Sequence, residues 1–268
     1  KKYNNRYMDV AIAEQHALTY ASGLSASGKL PIVAIYSTFI QRAYDQIIHD
    51  IALQGLAAVI CMDRSGLVGP DGPTHHGIFD ISFLRIIPNL IVTSPKDGYE
   101  LHDLLFTAIK SNKIFSIRYG KIETDYSIDY TPKILEIGKW EKINDGDSIM
   151  ILATGSMVKT AIEVSDLFKK NENINIGVVN CRYIKPLDYE FLNEIFQEYD
   201  KIYTIEEGSV LGGFGSSVLE YLSDTKYKNI QIKNFGIPDN FIDHGKREEL
   251  LDLVNLSSEK IYERIKND

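Results

Sequence analysis

The sequence predicts an α/β protein with two domains, a parallel sheet covered by helices followed by a second, smaller α/β layer. Short apolar runs typical of buried strands alternate with amphipathic stretches along most of the chain. This alternation indicates a parallel sheet with helices on its faces. It fails from Lys121 to about Pro132, where Asp, Tyr, Ser and Thr dominate. We interpret that stretch as a linker, which predicts one domain over residues 1–121 and another over residues 134–268.

The first predicted domain contains four strands. Between the first two, the apolar residues of 41–53 recur at helical spacing, and a similar pattern over residues 101–108 precedes the fourth strand. Both segments are predicted to be helices that cross over between parallel strands. The predicted strands are residues 31–36, 57–62, 90–93 and 114–119.

The second predicted domain repeats this alternation. A polar turn at residues 144–147 precedes its first strand, and a Gly-Gly-Phe-Gly run at residues 212–215 precedes its third helix. The run resembles a phosphate cradle, but helix–sheet packing or a dimer contact explains such a short run better. The predicted strands are residues 148–152, 174–179, 202–205 and 230–235. The predicted helices are residues 158–169, 188–199 and 216–222, with two more at the C-terminal end.

Composition disfavours several classes of function. The net charge of -8 argues against binding to nucleic acid or to an anionic membrane. No run of about 18 apolar residues predicts a membrane span, and the N-terminal residues do not resemble a signal peptide. The cysteines, Cys61 and Cys181, lie in or after strand-like runs without metal spacing. We therefore expect reduced thiols and a cytoplasmic protein.

Residues at the ends of two predicted elements form the densest group of candidate site residues. Glu14 begins a predicted helix, and Tyr36, Phe39 and Arg42 lie at or after the end of the first strand. Open α/β sheets build ligand sites at such ends. Simpler interpretations remain open, because Glu14 can complement the helix dipole and the aromatic residues can belong to the core. Arg42 needs an anionic or carboxylate partner beside an apolar helix face.

A long polar loop follows the second strand. Residues 63–77 contain Arg64, Asp71, His75 and His76 between glycines and prolines. Long loops in compact domains are usually functional or disordered, and the charged residues favour a functional loop. Adjacent side chains of an extended segment point in different directions, so we do not expect the two histidines to share a metal ion.

These segments resemble the 1-deoxy-D-xylulose-5-phosphate synthase family of the transketolase superfamily. The similar sequence runs from Arg6 to Arg118. It is most evident in Asp-Val-Ala-Ile-Ala-Glu-Gln-His at residues 9–16 and in residues 36–46 and 71–80. It continues more loosely through residues 182–188, 206–207, 212–215 and 241–245. Together these segments are far more specific than any single motif. The resemblance implies a pyrimidine-binding domain over residues 1–121 and a transketolase C-terminal-like domain over residues 134–268.

The resemblance implies thiamine diphosphate as the cofactor. In that family, a glutamate at the position of Glu14 hydrogen-bonds N1′ of the aminopyrimidine and favours the imino tautomer whose 4′ nitrogen removes the thiazolium C2 proton, and the resemblance implies this role for Glu14. Phe39 matches the residue that stacks on this ring, and Arg42 lies close beside it. His75 matches a histidine near the reacting carbon, where it can hydrogen-bond a carboxylate or an alkoxide and pass a proton. Glu14 and His75 are therefore the candidate catalytic residues.

The implied reaction condenses pyruvate with D-glyceraldehyde 3-phosphate, with loss of CO2, to 1-deoxy-D-xylulose 5-phosphate. Tyr36, Arg64 and Asp71 match positions that hold the aldehyde, and the guanidinium fork of Arg64 suits its phosphate. After the fourth strand the family has Tyr-Pro-Arg-Gly, where this chain has Tyr-Gly-Lys-Ile at residues 119–122. Lys121 keeps the charge but loses bidentate geometry, which weakens its case as a phosphate ligand.

The family also has an N-terminal domain that binds the diphosphate and Mg2+ through a Gly-Asp-Gly to Asn motif. That domain has no counterpart in this sequence, and neither has the first strand and helix of the pyrimidine domain. We therefore expect this chain to be part of a longer protein, inactive by itself. By analogy alone, we expect a homodimer.

Two other functions remain open. One is a β-type subunit of a split transketolase or of a 2-oxo-acid dehydrogenase, although residues 36–46 and 71–75 resemble the synthase more closely. The other is a non-catalytic dimerisation module. A non-catalytic module does not require several charged groups close to one loop. The chain nevertheless has such a set, which argues against this function: Glu14, Arg42, Arg64, Asp71 and His75.

Overall fold

Two five-stranded sheets form the framework of the protein, which confirms the predicted α/β class. The structure is a computed structural model that describes residues 3–124, 126–227 and 229–268. The first two residues of the first predicted domain and residue 125 of the predicted linker lie outside the described residues. Each sheet has four parallel strands and one antiparallel strand, and the antiparallel strand lies at an edge.

The first sheet has the strand order β1-β2-β4-β3-β8, in which β8 is Tyr183–Lys185. Its parallel strands lie within one or two residues of the predicted bounds, at β1 Ile32–Tyr36, β2 Ala58–Asp63, β3 Ile91–Thr93 and β4 Ile114–Arg118. Strands β2 and β4 are almost wholly buried, as expected for central strands covered on both faces. The helices of this region are α1 Glu14–Ala26, α2 Ser37–Ile40, α3 Tyr44–Gln46, α4 Asp80–Leu84 and α5 Gly98–Ser111.

The predicted single helix over residues 41–53 is wrong in detail. The chain forms α2 directly after β1, then a 3-10 turn at Gln41–Ala43, α3, and a π-helical turn at Ile47–Ala52. The apolar spacing was nevertheless informative, because Ile47, Ile51 and Ala52 are buried in the core. Periodicity reports which face is buried but not how tightly the turns are wound, and π-helical turns are frequent at functional sites.

The second sheet has the strand order β10-β9-β6-β7-β5. Its strands are β5 Glu141–Asn144, β6 Ile149–Ala153, β7 Ile176–Asn180, β9 Lys201–Ser209 and β10 Gln231–Ile237. Its helices are α6 Met157–Glu172, α7 Tyr189–Glu198, α8 Phe214–Ser223, α9 Arg247–Leu253 and α10 Ser258–Lys266. Strand β5 runs antiparallel to β7, and the other pairs are parallel.

The two sheets are joined by a strand that sequence patterns did not predict. Strand β8 (Tyr183–Lys185) follows β7 in the chain but pairs antiparallel with β3 at the edge of the first sheet. One hydrophobic cluster also spans both sheets, combining Ile60 and Val92 with Leu152 and Phe214. The second stretch of chain therefore completes the sheet of the first, and the two pack as one body.

The strand register places several site residues at the carboxyl ends of the parallel strands in the first sheet. Tyr36 pairs with Asp63 at the carboxyl ends of β1 and β2, and Met62 pairs with Arg118 at the end of β4. The loop of residues 63–77 leaves the sheet at this edge. Parallel α/β sheets form their ligand sites at this end of the strands.

Candidate functional site

A buried carboxylate paired with an arginine forms the centre of the candidate site. Glu14, the first residue of α1, is 8% exposed. Arg42, in the 3-10 turn, donates from Nη1 to Oε1 of Glu14 at 2.8 Å. The pair supplies the carboxylate partner that Arg42 was predicted to need. Among the described residues, the second oxygen of Glu14 has no hydrogen-bond partner, so it is available to a ligand.

Aromatic rings extend the site from Arg42 toward the loop. The Arg42 guanidinium lies 4.7 Å from the centre of the Phe39 ring. The Tyr36 ring lies nearly parallel to Phe39 at a centroid distance of 5.8 Å, and His75 meets Phe39 edge-on at 5.3 Å. Tyr36 and Phe39 are only half-buried, so they are not simply core aromatics.

Arg64 contacts Tyr36, and both residues are predicted to bind the aldehyde substrate. Its guanidinium carbon is 4.0 Å from the centre of the Tyr36 ring, a cation–π contact. The neighbouring Asp63 binds the Arg64 guanidinium and accepts a 2.7 Å hydrogen bond from the Arg64 backbone N–H. Arg64 has φ +59°, a left-handed conformation that non-glycine residues adopt rarely. Asp63 is thus a site residue that sequence reasoning missed, although its place at a strand end was a signal.

The two adjacent histidines have different surroundings, although their segment forms a turn and is not extended as predicted. His75 contacts Phe39, and its Nδ1 lies 2.8 Å from the Thr74 hydroxyl. His76 is 3% exposed and contacts Val68 and Asp243 instead. In the described ranges 3–124, 126–227 and 229–268, no three His, Cys, Asp or Glu side chains form a group that could hold a metal ion.

Two predicted site residues, Asp71 and Lys121, are not part of the series of contacts that runs from Glu14 to His75. Asp71 is exposed at the end of the 3-10 turn Gly69–Asp71 and forms no hydrogen bond, ion pair or ring contact with the other predicted site residues that the structure describes. Lys121 is exposed after β4. Its segment nevertheless runs beside the loop, because Ser65 N–H donates to the Tyr119 carbonyl at 3.0 Å.

A buried ion pair contacts the first residues of the loop at 63–77. Arg118 donates from Nε to Asp80 at 2.9 Å, and both residues are at most 3% exposed. The same guanidinium donates from Nη2 to the Glu207 carbonyl of β9 at 3.0 Å, and Ser65 donates to Asp80 at 3.1 Å. The pair therefore ties the first sheet, the loop and the second sheet together. Sequence patterns could not reveal it, because its members are far apart in the chain.

The backbone N–H groups of the glycine-rich run before α8 bind a side chain of the protein itself. Phe214 N–H and Gly215 N–H donate to the carboxylate of Glu206 at 2.8 and 2.9 Å. A Cβ atom at Gly213 would lie 2.2 Å from Glu206 Oε2, which requires glycine there. The N-terminus of α8 is thus capped by a fully buried carboxylate, in agreement with a packing role and not with a phosphate cradle.

Burial raises the pKa of Glu206 from 4.5 to about 7. The folded state therefore binds this proton more tightly than the unfolded state, so Glu206 lowers the free energy of unfolding as pH rises from about 4.5 to about 7. We expect a Glu206→Gln variant to lose this contribution, so its stability should fall less over that interval. Urea unfolding of both proteins at several pH values measures the difference, and parallel curves would contradict the assignment.

The fold and the site define a class of protein. An α/β pyrimidine-type sheet with a Glu–Arg–Phe group at its carboxyl edge, followed by a second α/β sheet, is the arrangement that the transketolase resemblance implied. Comparison with known families agrees. The family Transketolase, pyrimidine binding domain matches residues 1–125, and the family Transketolase, C-terminal domain matches residues 138–261. The chain belongs to the transketolase family.

Curated relatives narrow the comparison. The chain is 46% identical over 268 residues to the 1-deoxy-D-xylulose-5-phosphate synthase of Aquifex aeolicus, covering 100% of this chain and 42% of the relative. It is 44% identical to the synthase of the same name from Clostridium tetani, covering 98% of this chain and 42% of that protein. The chain thus spans about two fifths of the length of these relatives and matches their C-terminal part.

Among solved structures, the chain is similar to a split-gene transketolase determined as an inactive β4 tetramer. The TM-score is 0.85 at 28% identity, with 99% of this chain and 84% of that chain covered. Among the residues that the structure describes, no helix has both the length and the apolar character needed to cross a membrane.

Proposed function

We propose that this chain provides the pyrimidine-binding and C-terminal domains of a thiamine-diphosphate-dependent transferase that forms 1-deoxy-D-xylulose 5-phosphate. The reaction condenses pyruvate with D-glyceraldehyde 3-phosphate and releases CO2. One observation carries the proposal: the series of contacts from the buried Glu14 through Arg42 and Phe39 to His75. The relatives named as this synthase support the choice of reaction.

The residues of the site fit the aminopyrimidine of thiamine diphosphate. Glu14 offers a buried carboxylate with one oxygen free of partners among the described residues, and Phe39 offers an aromatic ring. Once bound, thiamine diphosphate supplies the electron sink for the loss of CO2. Glu14 hydrogen-bonds N1′ and controls the proton at that atom, while Arg42 keeps the carboxylate in position. Phe39 stacks on the ring.

The neighbouring residues bind the substrates in this proposal. Arg64 takes the phosphate of D-glyceraldehyde 3-phosphate, with Tyr36 and Asp71 holding the remainder of the aldehyde. Lys121 adds a positive charge beside the phosphate. The Nε2 atom of His75 hydrogen-bonds a substrate carboxylate or oxygen and passes a proton there.

The remaining parts of the proposal concern groups outside this chain. In this proposal, the diphosphate and its Mg2+ bind a separate domain, as the family resemblance implies. The predicted boundaries, residues 1–121 and 134–268, remain our proposed division of the chain. We also propose that the protein is cytoplasmic, consistent with its two buried free cysteines, and that it forms a homodimer, by analogy with the family.

A second candidate is a β-type subunit of a two-chain transketolase. The likeness to the split-gene transketolase, with 84% of that chain covered, favours it. The two candidates differ in their donor substrate, because a transketolase takes a two-carbon unit from a ketose phosphate and not from pyruvate.

The test uses the complete protein that carries this chain, expressed from its own gene with any separately encoded subunit. Given thiamine diphosphate and Mg2+, it should convert pyruvate and D-glyceraldehyde 3-phosphate to CO2 and a five-carbon ketose phosphate, detected by mass spectrometry. Turnover of a ketose phosphate without use of pyruvate would favour the second candidate. Cofactor binding without any turnover would contradict both.

Arg64 provides a sharper test of the substrate. We expect Arg64→Ala to raise the KM for D-glyceraldehyde 3-phosphate about 10- to 100-fold and to leave the KM for pyruvate within about twofold, because charged hydrogen bonds to the phosphate are lost. Lys121→Arg should lower the KM for the aldehyde, since it restores a bidentate donor. Steady-state kinetics with each substrate varied in turn measures both.

The matched control is Arg264→Ala. This arginine also stacks on an aromatic ring, 4.2 Å from the centre of Phe235, but it lies in the second sheet region. It should leave both KM values unchanged. If Arg64→Ala alters the aldehyde KM no more than Arg264→Ala does, Arg64 does not bind the phosphate.

A further inference from the structure

The loop that carries Asp71 and His75 is closed at its base. We define the substrate loop as residues 64–77. Gly66 N–H donates to the Gly77 carbonyl at 2.7 Å, and Gly77 N–H donates back to the Gly66 carbonyl at 2.9 Å. Near its end, His75 N–H and His76 N–H both donate to the Gly72 carbonyl, at 3.0 and 3.2 Å. The backbone on either side of His75 is therefore held in a defined turn.

His76 occupies the inside of this loop. Its Nδ1 accepts a 3.1 Å hydrogen bond from Val68 N–H, and its Nε2 lies 3.3 Å from the Asp243 carbonyl. Because a carbonyl can only accept, Nε2 carries the proton and Nδ1 does not. Both nitrogens of a ring that is 3% exposed are thus engaged, one within the loop and one with the second sheet region.

Other groups of the second region hold the same side of the loop. Glu207 accepts from Leu67 N–H at 2.9 Å, and Gly245 N–H donates to the Gly69 carbonyl at 3.4 Å. Glu207 is itself ion-paired with Arg247. Three consecutive residues, 67, 68 and 69, are therefore each tied to the second region, the middle one through the His76 ring.

We infer that His76 is a positioning residue for His75, and that through it the C-terminal domain sets the geometry of the substrate loop. This inference rests on the proposed function. The ring of His76 fixes the backbone that immediately precedes Gly77, so the adjacent His75 ring is held edge-on to Phe39. The C-terminal domain contacts the loop that carries Asp71 and His75, and it acts on the reaction by restricting that loop.

Two substitutions separate the two hydrogen bonds. In His76→Asn the amide oxygen lies near the position of Nδ1, so the acceptor for Val68 N–H is kept and the donor to Asp243 is lost. In His76→Gln the amide nitrogen lies near the position of Nε2, so the donor is kept and the acceptor is lost. Since misplacement of a catalytic group by about 1 Å can cost about 100-fold in rate, we expect each variant to lower kcat about 10-fold or more.

The readouts distinguish positioning from loss of stability. The affinity for thiamine diphosphate should stay within about twofold of the unsubstituted protein, because Glu14 and Phe39 lie on other elements. The imidazole 13Cε1 resonance of His75, followed by NMR in the complete protein, should shift in both variants. The control is Ser165→Ala, which removes a buried 2.8 Å hydrogen bond to the Ile176 carbonyl of the second sheet without touching the loop. It should change neither kcat nor the resonance.

The outcomes separate this inference from the proposed function. Unchanged kcat and an unmoved His75 resonance in both His76 variants would overturn the positioning role. An equal loss of kcat in Ser165→Ala would do the same, because the effect would then be general. A shifted His75 resonance in both His76 variants, together with an unsubstituted protein that does not use pyruvate, would uphold the positioning role and reject the proposed reaction.

Discussion

Replacement of Glu14 by Gln is expected to lower kcat about 100- to 10,000-fold, the range typical of the loss of a general acid–base group. The amide keeps an oxygen for the hydrogen bond to Arg42, which is 2.8 Å in the native pair, but it cannot carry the charge that, in the proposed function, controls the proton at N1′. Glu14→Ala should abolish turnover as well while the fold survives, because Glu14 lies at a helix start and its Arg42 partner is half-exposed.

The measurement is steady-state turnover by the complete protein, with thermal unfolding followed by circular dichroism. Asp45→Asn is the control, because Asp45 lies in the same stretch as Arg42 and forms an exposed pair with His49 at 2.8 Å. It should change neither turnover nor stability by a measurable amount. Undiminished activity in Glu14→Gln and Glu14→Ala would reject the acid–base role of this carboxylate.

Replacement of Arg118 by Met is expected to lower the free energy of unfolding by about 3–5 kcal/mol, the usual cost of removing one member of a buried ion pair. Asp80, which is 1% exposed, would be left without its ion-pair partner. The variant would also lose the hydrogen bond to the Glu207 carbonyl across the two sheets. Urea unfolding of the purified chain measures the change.

A double-mutant cycle tests the cause. Asp80→Asn removes the charge but keeps an oxygen for the 2.9 Å hydrogen bond from Ile81 N–H. In combination with Arg118→Met it should cost clearly less than the sum of the two single changes. Lys142→Met, which breaks an exposed pair with Asp145, should cost less than about 1 kcal/mol. A cost for Arg118→Met no larger than that of Lys142→Met would show that the buried pair does not stabilise the fold.

Sequence patterns predicted the elements that depend on local properties. The four parallel strands of the first sheet lie within about two residues of their predicted bounds, and β2, β3 and β4 are buried almost throughout, which demands continuous apolar runs. Strand β8 was not predicted. It has only three residues and pairs with β3, about 90 positions earlier in the chain, and no local pattern records such a partner.

The candidate site divides in the same way. From the residues alone, Arg42 indicated an anionic or carboxylate partner and the loop of His75 indicated a function, whereas the acid–base roles of Glu14 and His75 came from the resemblance. Their contacts, however, required the folded chain: Glu14 and Arg42 are 28 residues apart, and His76 meets Asp243 across 167 residues. Asp63 was overlooked because a carboxylate beside an arginine in sequence does not reveal that the two side chains bind each other.

By itself, the sequence determined the α/β class, the alternation of strands and helices, and the set of polar residues that parallel strands carry to one edge of a sheet. Those properties follow from the pattern of polar and apolar side chains within each segment, and this pattern does not depend on the rest of the fold. Only the tertiary structure decided which region each strand joins, that the glycine-rich run is filled by Glu206, and that the second sheet region holds the substrate loop. Such decisions depend on packing and hydrogen bonding between segments far apart in the chain, where the surrounding fold selects the partner.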